Sequence, residues 1–121
     1  MASVLIVDDS SDVREILRNF LENGSTGFTV CGEAANGFEA IKQAEVLKPD
    51  LVLMDLRMPV MNGIETATVL RRVLPKTRIV VLSNYSHEIG TALASAVGID
   101  LVIPKGSLDD VAQSLKALTS S

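Results

Sequence analysis

Five short apolar runs divide the chain, and each is a candidate for a buried strand. Within each run the apolar positions are continuous rather than alternating with polar ones, a pattern typical of parallel strands covered on both faces. The runs are residues 4–7, 28–31, 51–54, 79–82 and 101–103. The sequence therefore predicts five parallel strands.

Between these runs the apolar positions recur every three or four residues, which indicates helices with one apolar face each. Two weaker helices are predicted over 38–47 and 63–74, and Ser107, with Asp110 three residues later, resembles a helix cap. Three stripes are clear: Val13, Ile16, Leu17, Phe20 and Leu21; Ile89, Leu93, Ala96 and Val97; and Leu108, Val111, Ala112, Leu115 and Leu118. Each stripe should form the apolar face of its helix, and we expect Ile89, Leu93 and Val97 to lie mainly in the core.

The alternation of strands and helices predicts an α/β fold. Right-handed crossovers then give a doubly wound, flavodoxin-like (βα)5 sheet with five parallel strands in the order 2-1-3-4-5, forming a single domain over residues 1–121. In this order strands 1 and 3 are neighbours at the switch point. Residues just after Val7 and Met54 should therefore line one crevice at the carboxyl edge of the sheet.

Composition narrows the classes of function. A chain of 121 residues with 47% hydrophobic residues can form one core without disulfides, and its single cysteine, Cys31, is expected to be a buried, reduced thiol, which favours a cytoplasmic location. No apolar run is long enough to cross a membrane, and no secretion signal is evident. A net charge of −4 without a basic cluster argues against direct nucleic-acid binding, so proteins are the expected partners.

Three carboxylates should converge at the crevice, because strand 1 runs into Asp8 and Asp9 and strand 3 ends at Asp55. Any one of them could simply cap a helix or end a strand. Three together would repel one another unless a cation neutralised them, and a hard divalent ion prefers oxygen ligands. The cluster therefore indicates a metal site, for which Mg²⁺ fits better than zinc.

Two further polar residues should reach the same edge: Ser83 at the end of strand 4 and Lys105 after strand 5. A hydroxyl donor, an ammonium group and a metal together would form an oxyanion site suited to a phosphoryl group. A carboxylate can accept that group as an acyl phosphate, and the central Asp55 is the predicted nucleophile. Asp8 and Asp9 would then hold the metal.

These residues resemble the receiver domains of two-component response regulators. The match rests on VDDS at 7–10, MDLRMPVMNGIE at 54–65, Ser83 and Lys105, and it covers essentially the whole chain. The resemblance implies that Asp55 accepts a phosphoryl group from a sensor histidine kinase. It also implies that Asp9, Asp55 and the backbone carbonyl of Arg57 ligate Mg²⁺, that Asp8 helps through water, that Lys105 pairs with the phosphoryl oxygens, and that Ser83 moves toward them on activation.

Residues 32–37 (GEAANG) are similar to those of NarL-type receivers, which usually precede a DNA-binding helix-turn-helix domain. This chain has no such domain, so the expected output is a separate protein or a C-terminal effector domain, and a homodimer is left open. We favour an excised domain over a stand-alone regulator. Its own chemistry would be limited to Mg²⁺-dependent phosphorylation and dephosphorylation of itself, which makes it a switch rather than a metabolic enzyme.

Four positions could modify the switch. Val102 stands where the family usually has an aromatic switch residue, so rotation of an aromatic side chain at this position cannot couple phosphorylation to the surface. Asn84 follows Ser83 where a small residue is common, and Arg57 and Tyr85 flank the predicted pocket mouth. We assign His87 no role, because receivers take their phosphoryl group from a partner's histidine.

Three functions other than a phosphorylation switch are compatible with parts of the sequence. A receiver-like interaction module that works without phosphorylation is favoured by Val102, but the complete set of predicted site residues argues against it. A flavin-binding module is weaker, because the first loop is acidic where a phosphate loop needs backbone donors. A haloacid-type phosphatase would need a second acid two residues after Asp55, where Arg57 stands.

Overall fold

The computed structural model describes residues 2–23, 27–83, 91–104 and 108–119. Strands and helices alternate strictly along these residues, as the apolar pattern predicts. The strands are β1 Ala2–Val7, β2 Phe28–Ala34, β3 Leu51–Asp55, β4 Arg78–Ser83 and β5 Leu101–Pro104. The helices are α1 Ser11–Glu22, α2 Gly37–Leu47, α3 Gly63–Val73, α4 Thr91–Val97 and α5 Leu108–Thr119.

The five strands form one parallel sheet in the order β2-β1-β3-β4-β5, which confirms the predicted topology. Val7 pairs with Met54, so β1 and β3 end side by side. β2 continues three residues beyond the predicted run, to Ala34, because its pairing with β1 carries it through the polar Glu33. The sheet therefore places the ends of its two central strands at one edge.

Helices cover both faces of the sheet. On one face, α1 and α5 pack on a core that includes Leu17, Leu21, Val111 and Leu115 from the helices and Val4, Ile6, Leu51, Leu53, Val80 and Leu82 from the strands. On the other face, α2, α3 and α4 pack on a core that includes Ala40, Ala44, Ala67, Leu70 and Ala94 from the helices and Leu5, Val7, Val52, Met54, Ile79 and Val81 from the strands. Strands buried on both faces explain the continuous apolar runs. Across the described ranges, no helix combines the length and apolar character that a membrane crossing requires.

Side-chain caps start the three helices that follow β1, β2 and β3. Ser10 accepts a hydrogen bond from the backbone of Val13, and Asn36 accepts one from Glu39. Asn62 caps α3 through a capping box in which the Glu65 side chain accepts from the Asn62 backbone N–H. These caps fix where each helix leaves the carboxyl edge of the sheet.

The predicted stripe of α4 is wrong in part. Leu93 is 47% exposed and Ala96 is exposed, whereas Ala94 is buried and Val97 packs against the core. The small Ala94 faces the sheet, and Ile99, just beyond the helix, supplies the larger apolar contact. The apolar pattern alone does not show which of two adjacent faces packs.

Two other burial predictions need correction. Ile16 belongs to the predicted stripe of α1 but is 54% exposed, because Leu17 and Leu21 already occupy the contact with the sheet. Cys31 is half-buried rather than buried, at a shift in the β1–β2 register, with Sγ 3.5 Å from the carbonyl oxygen of Val4. Burial raises the pKa of its thiol, consistent with an unreactive cysteine.

Val60 has an unfavourable backbone conformation, with φ of 69° in the loop between β3 and α3. A β-branched residue is strained there, whereas asparagine tolerates the left-handed region. Val60 is 85% exposed, so replacing it removes little packing. We expect Val60→Asn to raise the free energy of unfolding by about 1 kcal/mol, measured by urea denaturation. Val46→Asn, at a 79% exposed position within α2, should show no such gain; equal effects would contradict the strain.

Candidate functional site

Three aspartates meet where β1 and β3 end, as predicted. Carboxylate oxygens of Asp8, Asp9 and Asp55 all lie within 4.8 Å of one another. The adjacent ends of the two strands bring Asp55 beside the pair that follows Val7. Because all three donors are carboxylate oxygens within reach of one ion, the set suits a hard divalent cation such as Mg²⁺.

The three aspartates differ in exposure. Asp8 is only 2% exposed, Asp55 is partly buried and Asp9 is exposed. The backbone N–H of Ser10 donates to Oδ1 of Asp8 at 2.9 Å, and that of Arg57 donates to Oδ1 of Asp55 at 3.3 Å. The cluster is therefore anchored on the inside by Asp8 and open to solvent at Asp9.

A cleft of about 670 Å³ lies beside the cluster. Its lining is mixed: an acidic and a basic residue meet a largely apolar wall from the β3–α3 loop and the start of α3. The lining residues are Asp9, Leu56, Arg57, Met58, Pro59, Asn62 and Ile64. Of the three aspartates, Asp9 is the one that the cleft exposes to an incoming group.

The loop after Asp55 is tightly tied. The backbone N–H of Leu56 donates to Leu82 at 3.0 Å, and that of Gly63 donates to Leu56 at 2.8 Å. A Cβ on Gly63 would lie 3.0 Å from the carbonyl oxygen of Asp55 and from Cα of Leu56. Glycine therefore allows α3 to begin directly against the end of β3.

The other predicted site residues fall into two groups. Ser83 is buried at the end of β4 and pairs with Pro104 at the end of β5. Val102 pairs with Val81 and is half-buried against the core on the α2, α3 and α4 face. Six residues from the sequence analysis lie outside the described ranges: Asn84, Tyr85, His87, Ile89, Lys105 and Ser107.

One contact of the cluster is not evident from the sequence. Arg14, on α1, donates from Nη1 to the backbone carbonyl oxygen of Asp8 at 2.5 Å and from Nε to Glu33 at 3.1 Å. Its backbone N–H donates to Ser10, the helix cap, so Arg14 stands one turn into α1. Helical side chains lean toward the N-terminus, which brings Arg14 over the loop that carries Asp8. The position of Arg14, one turn into the predicted helix, is the only feature of the sequence that could have indicated this contact.

Glu33 joins two arginines of α1. Its second carboxylate oxygen accepts from Nε of Arg18 at 2.6 Å. This hydrogen bond is the main cause that lowers the pKa of Glu33 from its ordinary value of 4.5, and the bond from Arg14 acts in the same direction. The same pair raises the pKa of Arg18. Glu33 is therefore held in its charged form by the fold.

The lowered pKa of Glu33 makes part of the stability depend on pH. A depressed carboxyl pKa contributes stability above the unfolded value of 4.5, and that contribution is lost as the pH falls through the folded pKa. We expect Glu33→Gln to lower the free energy of unfolding at pH 7. As the pH falls below 4.5, the free energies of unfolding of the variant and the wild type should converge. Urea unfolding from pH 7 to pH 3 measures this, and a difference constant with pH would contradict it.

Residues 4–116 match the response regulator receiver domain family. The chain is 38% identical over 114 residues to the response regulator protein VraR of Staphylococcus aureus, covering 93% of the chain and 54% of VraR. It is also 43% identical over 83 residues to a protein-glutamate methylesterase/protein-glutamine glutaminase of Hahella chejuensis, covering 69% of the chain and 23% of that protein. The chain thus spans a quarter to a half of these relatives.

Solved structures agree with the observed fold. The receiver domain of the response regulator NarL from Mycobacterium tuberculosis aligns with a TM-score of 0.87 at 25% identity, covering 99% of this chain and 97% of that one. The response regulator TrrA from Thermotoga maritima, in complex with Mg²⁺ and beryllofluoride, aligns with a TM-score of 0.86 at 31% identity, covering 98% and 99%. Fold, cluster and family match agree, and the chain belongs to the receiver domain family of two-component response regulators.

Proposed function

We propose that this receiver accepts a phosphoryl group on Asp55 and that Mg²⁺ binds at the aspartate cluster. The observation that carries the proposal is the convergence of Asp8, Asp9 and Asp55 within 4.8 Å at the ends of two adjacent strands. Three carboxylate donors this close together form the oxygen-rich ligand set that a hard divalent cation prefers. The Mg²⁺ and beryllofluoride complex of the similar TrrA supports the same use here.

The proposed ligands are Asp9, Asp55 and the backbone carbonyl of Arg57, with Asp8 acting through water. When bound, Mg²⁺ would neutralise charge on the phosphoryl oxygens. Buried Asp8 fixes the inner side of the site, and exposed Asp9 lines the open cleft. The backbone N–H of Arg57 donates to one Asp55 oxygen. The loop that follows β3 therefore orients the Asp55 carboxylate.

The proposed reaction is phosphoryl transfer between a partner's phosphohistidine and Asp55. A carboxylate oxygen of Asp55 attacks phosphorus, the P–N bond breaks, and its electron pair returns to the histidine ring. Water later attacks phosphorus, which releases inorganic phosphate and restores the carboxylate. Ser83 and Lys105 are proposed to donate hydrogen bonds to the phosphoryl oxygens, while Asn84, Tyr85 and Arg57 would affect access from the cleft.

The proposed partners are a sensor histidine kinase and an output protein or effector domain. Two-component receivers connect such partners, and the chain spans only 54% of VraR, so an output region outside this sequence is part of the proposal. The domain itself would act as a phosphorylation switch in the cytoplasm and would catalyse only its own modification. A DNA-binding output would require residues beyond this receiver, which itself has no basic cluster.

A second candidate is an interaction module that works without phosphorylation. Val102 favours it, because this half-buried aliphatic residue stands in place of the usual aromatic switch and is already packed against the core. Such a module would bind its partner equally well with and without a phosphoryl analogue. The two functions therefore differ in a directly measurable property.

Beryllofluoride, a mimic of the phosphoryl group, tests the proposal. We expect the wild type to bind it at a 1:1 ratio only when Mg²⁺ is present, detected by fluorine NMR. Asp55→Asn should abolish binding, because the attachment oxygen is lost, whereas Asp12→Asn removes an exposed acid of the first turn of α1 and should retain it. Absence of binding to folded wild-type protein would contradict phosphorylation and favour the interaction module.

A further inference from the structure

We propose that Arg14, held by Glu33, is a positioning residue that sets the affinity of the aspartate cluster for Mg²⁺. The inference rests on the proposed metal site and adds a residue to its support. Arg14 contacts no carboxylate of the cluster in the bonds described above; its guanidinium holds the backbone carbonyl of Asp8. That carbonyl belongs to the peptide group joining Asp8 to Asp9.

The Asp8–Asp9 segment is held from both sides. The backbone N–H of Asp8 donates to Ala34 of β2 at 3.0 Å, which continues the sheet by one residue. On the other side, Nη1 of Arg14 donates to the carbonyl oxygen of Asp8 at 2.5 Å. Fixing this carbonyl fixes the peptide plane, and the plane sets the direction in which the exposed Asp9 leaves the backbone.

Glu33 orients the arginine. Its Oε1 accepts from Nε of Arg14 at 3.1 Å, while its backbone carbonyl accepts from the Gln43 side chain at 2.6 Å. Its other oxygen is held by Arg18. Glu33 is therefore fixed at both its backbone and its side chain, and it presents a rigid acceptor to Arg14.

The charge of Arg14 and its hydrogen bond to Asp8 predict opposite changes in Mg²⁺ affinity when Arg14 is replaced. Removing a cation near three carboxylates would by itself tighten Mg²⁺ binding. Losing the hydrogen bond to Asp8 would free the peptide that carries Asp9 and weaken binding. Because Glu33 and Glu22 together balance the charges of Arg14 and Arg18, we expect the positional effect to dominate. The sign of the change in affinity thus identifies the mechanism.

Arg18 provides a matched control. Both arginines lie on α1 and both pair with Glu33, but Arg18 also pairs with Glu22 and, in the bonds described, contacts only these glutamates. Replacing Arg18 removes one charge and one Glu33 contact while leaving the Arg14 bond to Asp8 in place. A difference between the two variants therefore isolates that bond.

The experiment measures the Mg²⁺ dissociation constant by calorimetry for wild type, Arg14→Met, Arg14→Lys and Arg18→Met, with the free energy of unfolding measured for each without Mg²⁺. We expect Arg14→Met to raise the dissociation constant about tenfold. Arg18→Met should stay within about twofold of the wild type. Arg14→Lys, which keeps one donor and the charge, should recover part of the loss and also serves if Arg14→Met fails to fold.

A rate measurement separates positioning from damage to the reaction itself. With a small phosphoryl donor, the rate for the Arg14 variants should return to the wild-type value at saturating Mg²⁺. Unchanged or tighter binding in both Arg14 variants, or equal weakening in Arg18→Met, would overturn the inference while leaving the proposed function intact. Absence of Mg²⁺ binding to the wild type would overturn both.

Discussion

Asp9→Asn is expected to weaken Mg²⁺ binding at least about 100-fold. Asp9 is the exposed member of the cluster and lines the cleft, so it is the carboxylate most available to an incoming ion. Even groups that only support metal ligands cost about 10-fold to 100-fold in affinity when lost, and Asp9 is a proposed direct ligand. Without Mg²⁺, the same substitution should stabilise the fold, because it removes repulsion from Asp8 and Asp55.

Calorimetry and thermal unfolding test these opposite effects together. For the wild type, Mg²⁺ at 100 times its dissociation constant should add about 2.7 kcal/mol to the free energy of unfolding. Asp9→Asn should lose that gain yet melt at a higher temperature than the wild type in a chelator. Asp12→Asn, which removes a nearby exposed acid, should bind Mg²⁺ almost normally. If Asp9→Asn has a lower melting temperature than the wild type in a chelator and binds Mg²⁺ with the wild-type affinity, the aspartates are neither mutually repulsive nor a metal site.

Arg71→Met is expected to lower the free energy of unfolding by about 3 kcal/mol. The guanidinium of Arg71, on α3, donates to acceptors from two separate segments, one before β4 and one between α4 and β5. These acceptors are the carbonyl oxygens of Pro75, Thr77 and Gly98 and the carboxylate of Asp100, at distances of 2.7 to 3.2 Å. Losing the arginine would leave two partly buried carbonyl oxygens, those of Thr77 and Gly98, without this donor.

Arg72 is the matched control for this prediction. It is the next residue on α3 and is exposed, so Arg72→Met should change the free energy of unfolding by less than about 0.5 kcal/mol. Urea denaturation of both variants at pH 7 measures the difference. Similar losses would show that Arg71 does not join α3 to the end of α4 and the start of β4.

Most of the fold could be predicted because its interior strands are buried on both faces. The runs at 4–7 and 51–54 coincide with β1 and β3, and the stripe of Val111, Ala112 and Leu115 matches the buried face of α5. β2 is an edge strand, and its polar second half, including Glu33, is maintained by pairing that an apolar run does not reveal. In α4, Ala94 is buried and Leu93 is exposed, and which of the two faces the sheet depends on how closely the helix approaches it.

The aspartate cluster could be predicted because topology alone brings the ends of β1 and β3 together. Asp8, Asp9 and Asp55 require only the strand order for their convergence. The bond network of Arg14 could not be predicted in the same way, because Glu33 is 19 residues distant and the contact depends on the reach and direction of two long side chains. Support around a site is therefore harder to predict than the site itself.

Intact mass after incubation with Mg²⁺ and acetyl phosphate or phosphoramidate tests the central claim most directly. We predict a gain of one phosphoryl group, about 80 Da, that requires Mg²⁺ and disappears in Asp55→Asn. Asp12→Asn should still gain the mass. Folded wild-type protein that gains no mass, or an adduct that persists in Asp55→Asn, would contradict Asp55 as the phosphoacceptor.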